Sequence, residues 1–133
     1  MIVATSEREH FLTSFTNGRD AARADAAVDK GGGDAGFRPH DLLEASIASC
    51  INIWLRMYST SHSVPLERVV TTVEADRTDP AAVTFKYSVE VSGPLTAEQR
   101  QKLLDIAAIC PVRRTLERTI SFVEVPAPVG DRR

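Results

Sequence analysis

The longest regular pattern of apolar positions predicts a helix from Pro39 to about Ser61. Pro39 suits the first turn of a helix, and neither proline nor glycine interrupts the chain from there to Ser61. Apolar side chains recur at spacings of three and four and mark one face: Leu43, Ile47, Cys50, Trp54 and Met57. The other faces are also apolar or small, and a helix that is apolar on all sides is a buried helix. In a chain of 133 residues, such burial suggests that a second subunit supplies part of the cover.

Alternation of apolar and polar residues predicts two strands, at 67–77 and 81–93. The turn residues Thr78, Asp79 and Pro80 lie between them and indicate an antiparallel hairpin. An earlier pair of short strands is predicted around Asn17-Gly18, because this dipeptide is the strongest short signal for a hairpin. Segment 28–39 carries four glycines and a proline, so it is a loop, either a flexible linker or a cover over a site.

Two helices and a final strand are predicted in the last third of the chain. Thr96 and Gln99 have the spacing of a capping box, which starts a helix. Pro111 breaks or restarts that helix, and a last strand is predicted at 119–125. The tail, 126–133, is expected to be flexible. The order β-β-α-β-β-α-α-β predicts a single α+β domain over residues 1–133, without internal repeats.

Composition and charge exclude several classes of function. The net charge is −2, and the sequence has no basic stripe interleaved with aromatic residues. Nucleic acid is therefore not expected as the main partner. Charged residues begin at Glu7, which argues against a signal peptide, and no apolar run is long enough to span a membrane. A cytoplasmic protein with reduced thiols is therefore expected. Two cysteines and three scattered histidines do not have metal-ligand spacing, so no metal site is expected.

The local sequence allows two interpretations of each cysteine, as a reactive thiol or as an inert residue. Cys110 precedes Pro111 and could occupy a helix N-cap, where the positive potential favours a thiolate; Arg113 and Arg114 would add to that potential if they fold back. Cys50 lies on the apolar stripe, where a buried thiol reacts poorly unless a cation reaches it. Arg19, at the predicted hairpin tip, is a candidate for that cation. The alternative for both cysteines is inert packing in the core.

Two stretches of the chain read GRDAARADAAVDKGGGDAGFRPHDLLEASIASC and, sixty residues after Cys50, CPVRRTLE. Both resemble the OsmC/Ohr family, in which organic hydroperoxide resistance proteins are found. The specific parts are Pro39 to Cys50 and Cys110 to Leu116, within a similarity that extends from about Phe11 to Val125. The resemblance implies an intertwined homodimer with two long helices at its centre, and thiol-dependent reduction of organic hydroperoxides.

The same resemblance assigns roles to individual residues. It implies that Cys50 attacks the peroxide and becomes a sulfenic acid, and that Cys110 then forms a disulfide with it. An external dithiol, lipoyl or thioredoxin-like, would reduce that disulfide, and neither a metal nor a flavin cofactor is needed. The charge of Arg19 would favour the Cys50 thiolate and orient the peroxide.

One position departs from the family pattern. Peroxidases of the family carry a glutamate directly after the proline, where it holds the arginine; here His40 occupies that position and Asp41 follows. Asp41 could take over the role with a shorter reach, and His40 could contribute a titrating partner. Apolar residues around Cys50, including Ile47, Trp54 and Met57, could line a pocket for a hydrocarbon tail or could simply pack in the core. An apolar-ligand-binding protein and an oxidant sensor without turnover therefore stay open beside the enzyme.

Overall fold

The computed structural model describes residues 1–127 and shows the α+β fold expected from the sequence. Its elements, in chain order, are β1 (Val3–Ser6), β2 (Thr13–Thr16), β3 (Ala21–Ala24), α1 (Pro39–Ser61), β4 (Arg68–Asp76), β5 (Thr84–Ser92), α2 (Ala97–Ala107) and α3 (Pro111–Leu116). A single 3-10 turn lies at Val28–Lys30. The tail that was predicted to be flexible comprises residues 126–133, and its residues 128–133 lie outside the described part of the chain.

Both predicted hairpins are confirmed. Strands β4 and β5 are antiparallel, with Asp76 opposite Thr84 beside the turn. Strands β2 and β3 are joined by the Asn17-Gly18 turn, in which Gly18 has φ +94°. The side chain of Asn17 accepts hydrogen bonds from the backbone N–H groups of Arg19 and Asp20, at 2.9 and 2.8 Å. Strand β1, which the sequence pattern missed, pairs with β2 and makes this a three-stranded sheet.

The strand predicted at 119–125 is not formed, so that prediction was wrong. The segment is apolar but exposed: Phe122 is 95% exposed and Val123 is 81% exposed. A strand requires a neighbouring edge to satisfy its backbone N–H and C=O groups. Among the described residues, β5 pairs only with β4 and offers this segment no bonded neighbour.

Helix α1 packs mainly on β4 and also contacts α2 and α3. The side of α1 that is buried differs from the predicted stripe. Ile47, Ile51 and Leu55 form the buried line, at the spacing of four that keeps side chains on one face. The sequence placed Leu43 and Met57 on that face, but they are 43% and 58% exposed. The core is completed by residues from four other parts of the chain: Leu66, Val91, Leu103, Ala107 and Cys110.

The glycine-rich loop is held down against the end of β3. Asp25 is only 3% exposed, and its carboxylate accepts N–H bonds from Ala26, Gly33 and Ala35 at 2.8 to 3.1 Å. At Gly32, an added Cβ would lie 2.0 Å from the carbonyl oxygen of Ala26, so a side chain cannot fit without a backbone shift. The loop is therefore a packed connection between β3 and α1, rather than a flexible linker.

Candidate active site

The structure brings Cys50 and Cys110 together although sixty positions separate them in the chain. Cys50 lies in the middle of α1, and Cys110 lies between α2 and α3. Cys50 packs against the core cluster that contains Cys110, and it contributes to the raised pKa of the Cys110 thiol. Neither cysteine is in a disulfide. Their burial differs, since Cys110 is 0% exposed and Cys50 is half-buried. Two free thiols of unequal accessibility thus lie close together.

Cys110 is the N-cap of α3, as the Cys110-Pro111 sequence indicated. Its Sγ accepts a hydrogen bond from the backbone N–H of Arg113 at 3.4 Å. Burial raises the pKa of the Cys110 thiol and the nearby Cys50 adds to the rise, while the N–H groups of Arg113 and Val112 oppose it. The net shift is upward, so the helix N-terminus does not make Cys110 a ready thiolate at neutral pH.

Cys50 lies on a side of α1 that is open in the single protomer. Ile53 and Met57, three and seven residues further along the helix, share that side and are 60% and 58% exposed. The Cys50 thiol therefore lies between the protomer core, which contains Cys110, and an exposed apolar strip formed by Ile53 and Met57. This strip is largely uncovered in the single chain.

The predicted cation for Cys50 is not in place within the protomer. The Arg19 side chain is 87% exposed at the tip of the β2–β3 hairpin, and its Nε donates to Asp20 at 3.1 Å. A side chain this exposed is solvated rather than packed against the half-buried Cys50. The arginines after Cys110 do not supply the charge either: Arg114 is exposed, and the Arg113 side chain is engaged elsewhere.

Asp41 and His40 lie at the start of α1 and have partners other than Arg19. The Asp41 carboxylate accepts the backbone N–H of Arg38 at 2.9 Å and so caps the helix. His40 Nε2 lies 3.2 Å from a guanidinium nitrogen of Arg77. Both residues line a cleft of about 590 Å³ between the N-terminal sheet, the glycine-rich loop and the end of β4. They are therefore near each other, but in this cleft rather than in contact with the cysteines.

The three apolar residues predicted to bind substrate are divided between different surroundings. Ile47 lines a cavity of about 330 Å³ together with Ile51, Phe85 and Leu116. Trp54 is half-buried, and among the described residues its Nε1 is buried without a hydrogen-bond partner. Met57 is exposed. Of these three residues, Ile47 alone lines this cavity, and neither cysteine is among the residues that line it.

Tyr87, Arg113 and Glu117 form a cluster beside Cys110 that sequence reasoning did not find. Arg113 Nε donates to Glu117 Oε1 at 2.8 Å, and one of its terminal nitrogens donates to Tyr87 Oη at 2.8 Å. The guanidinium carbon also lies 5.7 Å from the centre of the Tyr87 ring. The i, i+4 spacing of Arg113 and Glu117 is visible in the sequence. The contact with Tyr87, 26 residues earlier, depends on the tertiary fold and has no local signal.

Neither a metal-binding cluster nor a membrane-spanning helix is found in the part of the chain that the structure describes. Within residues 1–127, no three His, Cys, Asp or Glu side chains are grouped so that they could hold a metal ion. None of the helices described here combines the length and apolarity needed to cross a membrane.

Comparisons with known proteins place this geometry in a family. The chain is similar to the OsmC like protein from Mycoplasma pneumoniae, with 17% identity and a TM-score of 0.75 over 88% of this chain and 86% of that one. It is also similar to an organic hydroperoxide resistance protein OsmC from Legionella pneumophila, with 20% identity and a TM-score of 0.62 over 88% of both chains. A third similar structure is the organic hydroperoxide resistance protein OhrB of Bacillus subtilis, with 18% identity and a TM-score of 0.60 over 88% of this chain and 89% of that one. At these identities, the likeness shows the fold alone.

No curated protein matches the chain. The family model described as OsmC-like protein matches residues 31–124, which include α1, both cysteines and the β4–β5 hairpin. This match covers more than half of the chain, and the protein therefore belongs to the OsmC-like protein family.

Proposed function

We propose that this protein is a thiol-dependent peroxidase that reduces organic hydroperoxides. The proximity of Cys50 and Cys110 in one core cluster is the observation that carries the proposal. Two free thiols brought together from positions sixty residues apart can store and release two electrons as a disulfide. The reaction needs no bound metal or organic cofactor.

The proposed cycle has three balanced steps. The Cys50 thiolate attacks the distal oxygen of ROOH, the O–O bond breaks, and Cys50 sulfenic acid and the alcohol ROH form. The Cys110 sulfur then attacks the Cys50 sulfur, and hydroxide leaves and is protonated to water. An external dithiol, such as a dihydrolipoyl group or a thioredoxin-like protein, reduces the disulfide and is itself oxidised. Thiols of this kind persist in the reducing cytoplasm, where we expect the protein to act.

The unequal surroundings of the two thiols support this division of roles. Cys50 is half-buried on the open side of α1, where a peroxide can reach it. Cys110 is fully buried and its pKa is raised by that burial, which keeps it protonated and out of reach of the peroxide. Cys110 therefore suits the second step, in which it needs to reach only the sulfur of Cys50.

The apolar surroundings of Cys50 favour an organic peroxide. Ile53 and Met57 share its side of α1 and are 60% and 58% exposed. Apolar side chains beside the thiol can hold the apolar part of ROOH while the peroxide group approaches the sulfur. Hydrogen peroxide has no group that would use them.

We propose further that the site is completed by a second copy of the chain. Large apolar side chains are exposed in several regions, among them Ile2, Val3 and Phe11 near the N-terminus, Ile53 and Met57 on α1, and Phe122, Val123 and Val125 after α3. Monomers seldom expose so much apolar surface without a partner. In an intertwined homodimer, α1 of one protomer packs on α1 of the other, and segment 119–125 gains a strand edge. The solvated Arg19 of one protomer would then reach Cys50 of the other, with Asp41 or His40 nearby.

Thiol titration during peroxide treatment tests the enzyme proposal. The reduced protein is treated with one equivalent of cumene hydroperoxide, free thiols are counted, and a dithiol is then added with excess peroxide. Loss of both thiols within one chain, followed by sustained turnover, is the expected result. Thiols that do not react in the native protein would overturn the proposal and favour an apolar-ligand-binding protein. Oxidation to the disulfide without turnover would indicate a redox sensor.

Single-cysteine variants assign the two roles. Cys110→Ser is expected to lose one thiol to a sulfenic acid that dimedone traps, and to form no intramolecular disulfide. Cys50→Ser is expected to leave the buried Cys110 unreactive over the same time. If Cys50→Ser is oxidised as fast as the parent protein, the order of the two cysteines is wrong.

A further inference from the structure

Arg113 links Cys110 to strand β5 through its backbone N–H and its guanidinium group. Its backbone N–H donates to Cys110 Sγ at 3.4 Å. Its guanidinium bonds Tyr87 Oη on β5 and Glu117 Oε1, both at 2.8 Å, and lies 5.7 Å from the Tyr87 ring centre. The same residue therefore holds the Cys110 sulfur with its main chain and is anchored to the sheet by its side chain.

The anchor matters because α3 is short. The helix has six residues, Pro111–Leu116, and a helix of this length is not stable without tertiary contacts. Its position, and with it the position of its N-cap Cys110, depends on what its side chains bind. Arg113 provides polar contacts from α3 to β5, and the partly buried Val112 and Leu116 pack against the core.

We propose that Arg113 is a positioning residue for the second step of the peroxidase cycle, acting through α3 to hold the Cys110 sulfur against Cys50. This inference rests on the proposed function. Arg113 is not placed in contact with the peroxide, and its role is confined to the step in which Cys110 attacks the Cys50 sulfenic acid. Tyr87 and Glu117 are the residues that fix Arg113.

A competing reaction makes the position of Cys110 measurable. The Cys50 sulfenic acid can meet Cys110 and give the disulfide and water, or it can meet a second ROOH and give the sulfinic acid and ROH. Both reactions consume the same intermediate. A misplacement of about 1 Å can slow a reaction between two held groups by as much as about 100-fold. Loosening of α3 should therefore shift the products from disulfide to sulfinic acid.

The test compares Arg113→Gln with Arg114→Gln, which removes the adjacent exposed arginine. Each protein is oxidised over a range of cumene hydroperoxide concentrations, and mass spectrometry gives the ratio of disulfide to Cys50 sulfinic acid. For Arg113→Gln, the peroxide concentration at which disulfide and sulfinic acid form in equal amounts is expected to fall about tenfold. Arg114→Gln is expected to match the parent protein. The rate at which Cys50 is first oxidised is expected to be the same in all three.

The pH dependence of disulfide formation distinguishes positioning from a general loss of stability. Cys110 must lose its proton to attack, so the rate rises with pH through the pKa of its thiol. The N–H of Arg113 lowers that pKa against the effect of burial. If Arg113→Gln frees this N–H from the sulfur, the profile moves to higher pH. Tyr87→Phe keeps the ring and removes only the hydroxyl, and it is expected to give a smaller change in the same direction.

The outcomes separate this inference from the proposed function. If Cys50 is not oxidised in the parent protein, the peroxidase proposal fails. If Cys50 is oxidised and the disulfide forms, but Arg113→Gln changes neither the product ratio nor the pH profile, Arg113 is not a positioning residue. Arg113→Lys provides a folded comparison, because lysine keeps the charge over the Tyr87 ring but cannot bond both partners through a planar fork. Full recovery with lysine would overturn the role of the two hydrogen bonds.

Discussion

Two isoleucines on α1 allow the protomer core to be tested separately from the proposed dimer interface. Ile51 is 0% exposed and Ile53 is 60% exposed, although they are two positions apart on the same helix. We expect Ile51→Ala to destabilise the protomer itself. We expect Ile53→Ala to weaken the association of two protomers and to leave the protomer fold nearly unchanged.

The expected magnitudes follow from burial. Truncation of a fully buried isoleucine to alanine costs about 3 kcal/mol of unfolding free energy, while truncation of a largely exposed one costs about 0.5 kcal/mol or less. Full burial of an isoleucine is worth about 1.5–3 kcal/mol. The 60% of Ile53 still exposed therefore offers about 1–2 kcal/mol per protomer. A two-fold interface contains the residue twice, so Ile53→Ala should weaken the dimer roughly 30- to 900-fold.

Sedimentation over a dilution series measures the dimer constant, and urea unfolding at one protein concentration measures stability. The expected result is a large shift in the dimer constant for Ile53→Ala and a loss of stability for Ile51→Ala that remains after correction for dissociation. If Ile53→Ala leaves the dimer constant unchanged, α1 does not lie in the interface through the strip that carries Cys50. If the parent protein is monomeric at every concentration, the second copy cannot complete the site.

Three further changes test separate parts of the structure. Arg19→Ala should slow the oxidation of Cys50 about tenfold, which corresponds to about 1.4 kcal/mol; an unchanged rate in stopped-flow measurements removes Arg19 from the site. Asp25 is buried, which raises its pKa, but its three backbone N–H bonds bring the pKa below the ordinary value. Its stabilising effect is thus present above about pH 4 and is lost as the pH falls through the lowered pKa; Asp25→Asn should reduce stability at pH 7 and show a shallower loss of stability in acid than the parent protein, which urea titrations from pH 7 to pH 3 can check. Thr96→Ala removes the cap of α2 and should lower stability by about 1 kcal/mol, seen as a Tm lower by about 4 °C, whereas equal Tm values would show that the cap contributes little.

Local signals predicted the elements that depend on neighbours in the chain. The Asn17-Gly18 turn, the Thr96–Gln99 capping box and the Cys110-Pro111 helix start all appear in the structure as expected. Each uses side-chain and backbone groups within a few residues. The length of α1 was also predictable, because Pro39 and the absence of a later breaker define it.

Contacts between distant segments could not be predicted from the same signals. Because α1 is apolar on several sides, periodicity alone could not decide that Ile47, Ile51 and Leu55 face the core while Met57 is exposed. Segment 119–125 has the composition of a strand, but its structure depends on an edge that the protomer lacks. The pairing of Arg113 with Tyr87 likewise depends on how α3 meets β5.

The proposed division of the site between two protomers would couple reactivity to assembly. In the single chain, the half-buried Cys50 lies beside the exposed apolar strip of Ile53 and Met57, and Arg19 is solvated and paired with Asp20. Without an adjacent cation, the attacking thiolate of Cys50 has little electrostatic support. Cys110, by contrast, already lies close to Cys50 within the same chain. The first chemical step should therefore depend on protein concentration through the dimer constant, whereas the second should not. Ile53→Ala examined at protein concentrations below its dimer constant separates the two: oxidation of Cys50 should be slow, and any sulfenic acid that forms should still reach Cys110. Equal rates of Cys50 oxidation in monomer and dimer would show that a single protomer contains every group that Cys50 needs to react with the peroxide.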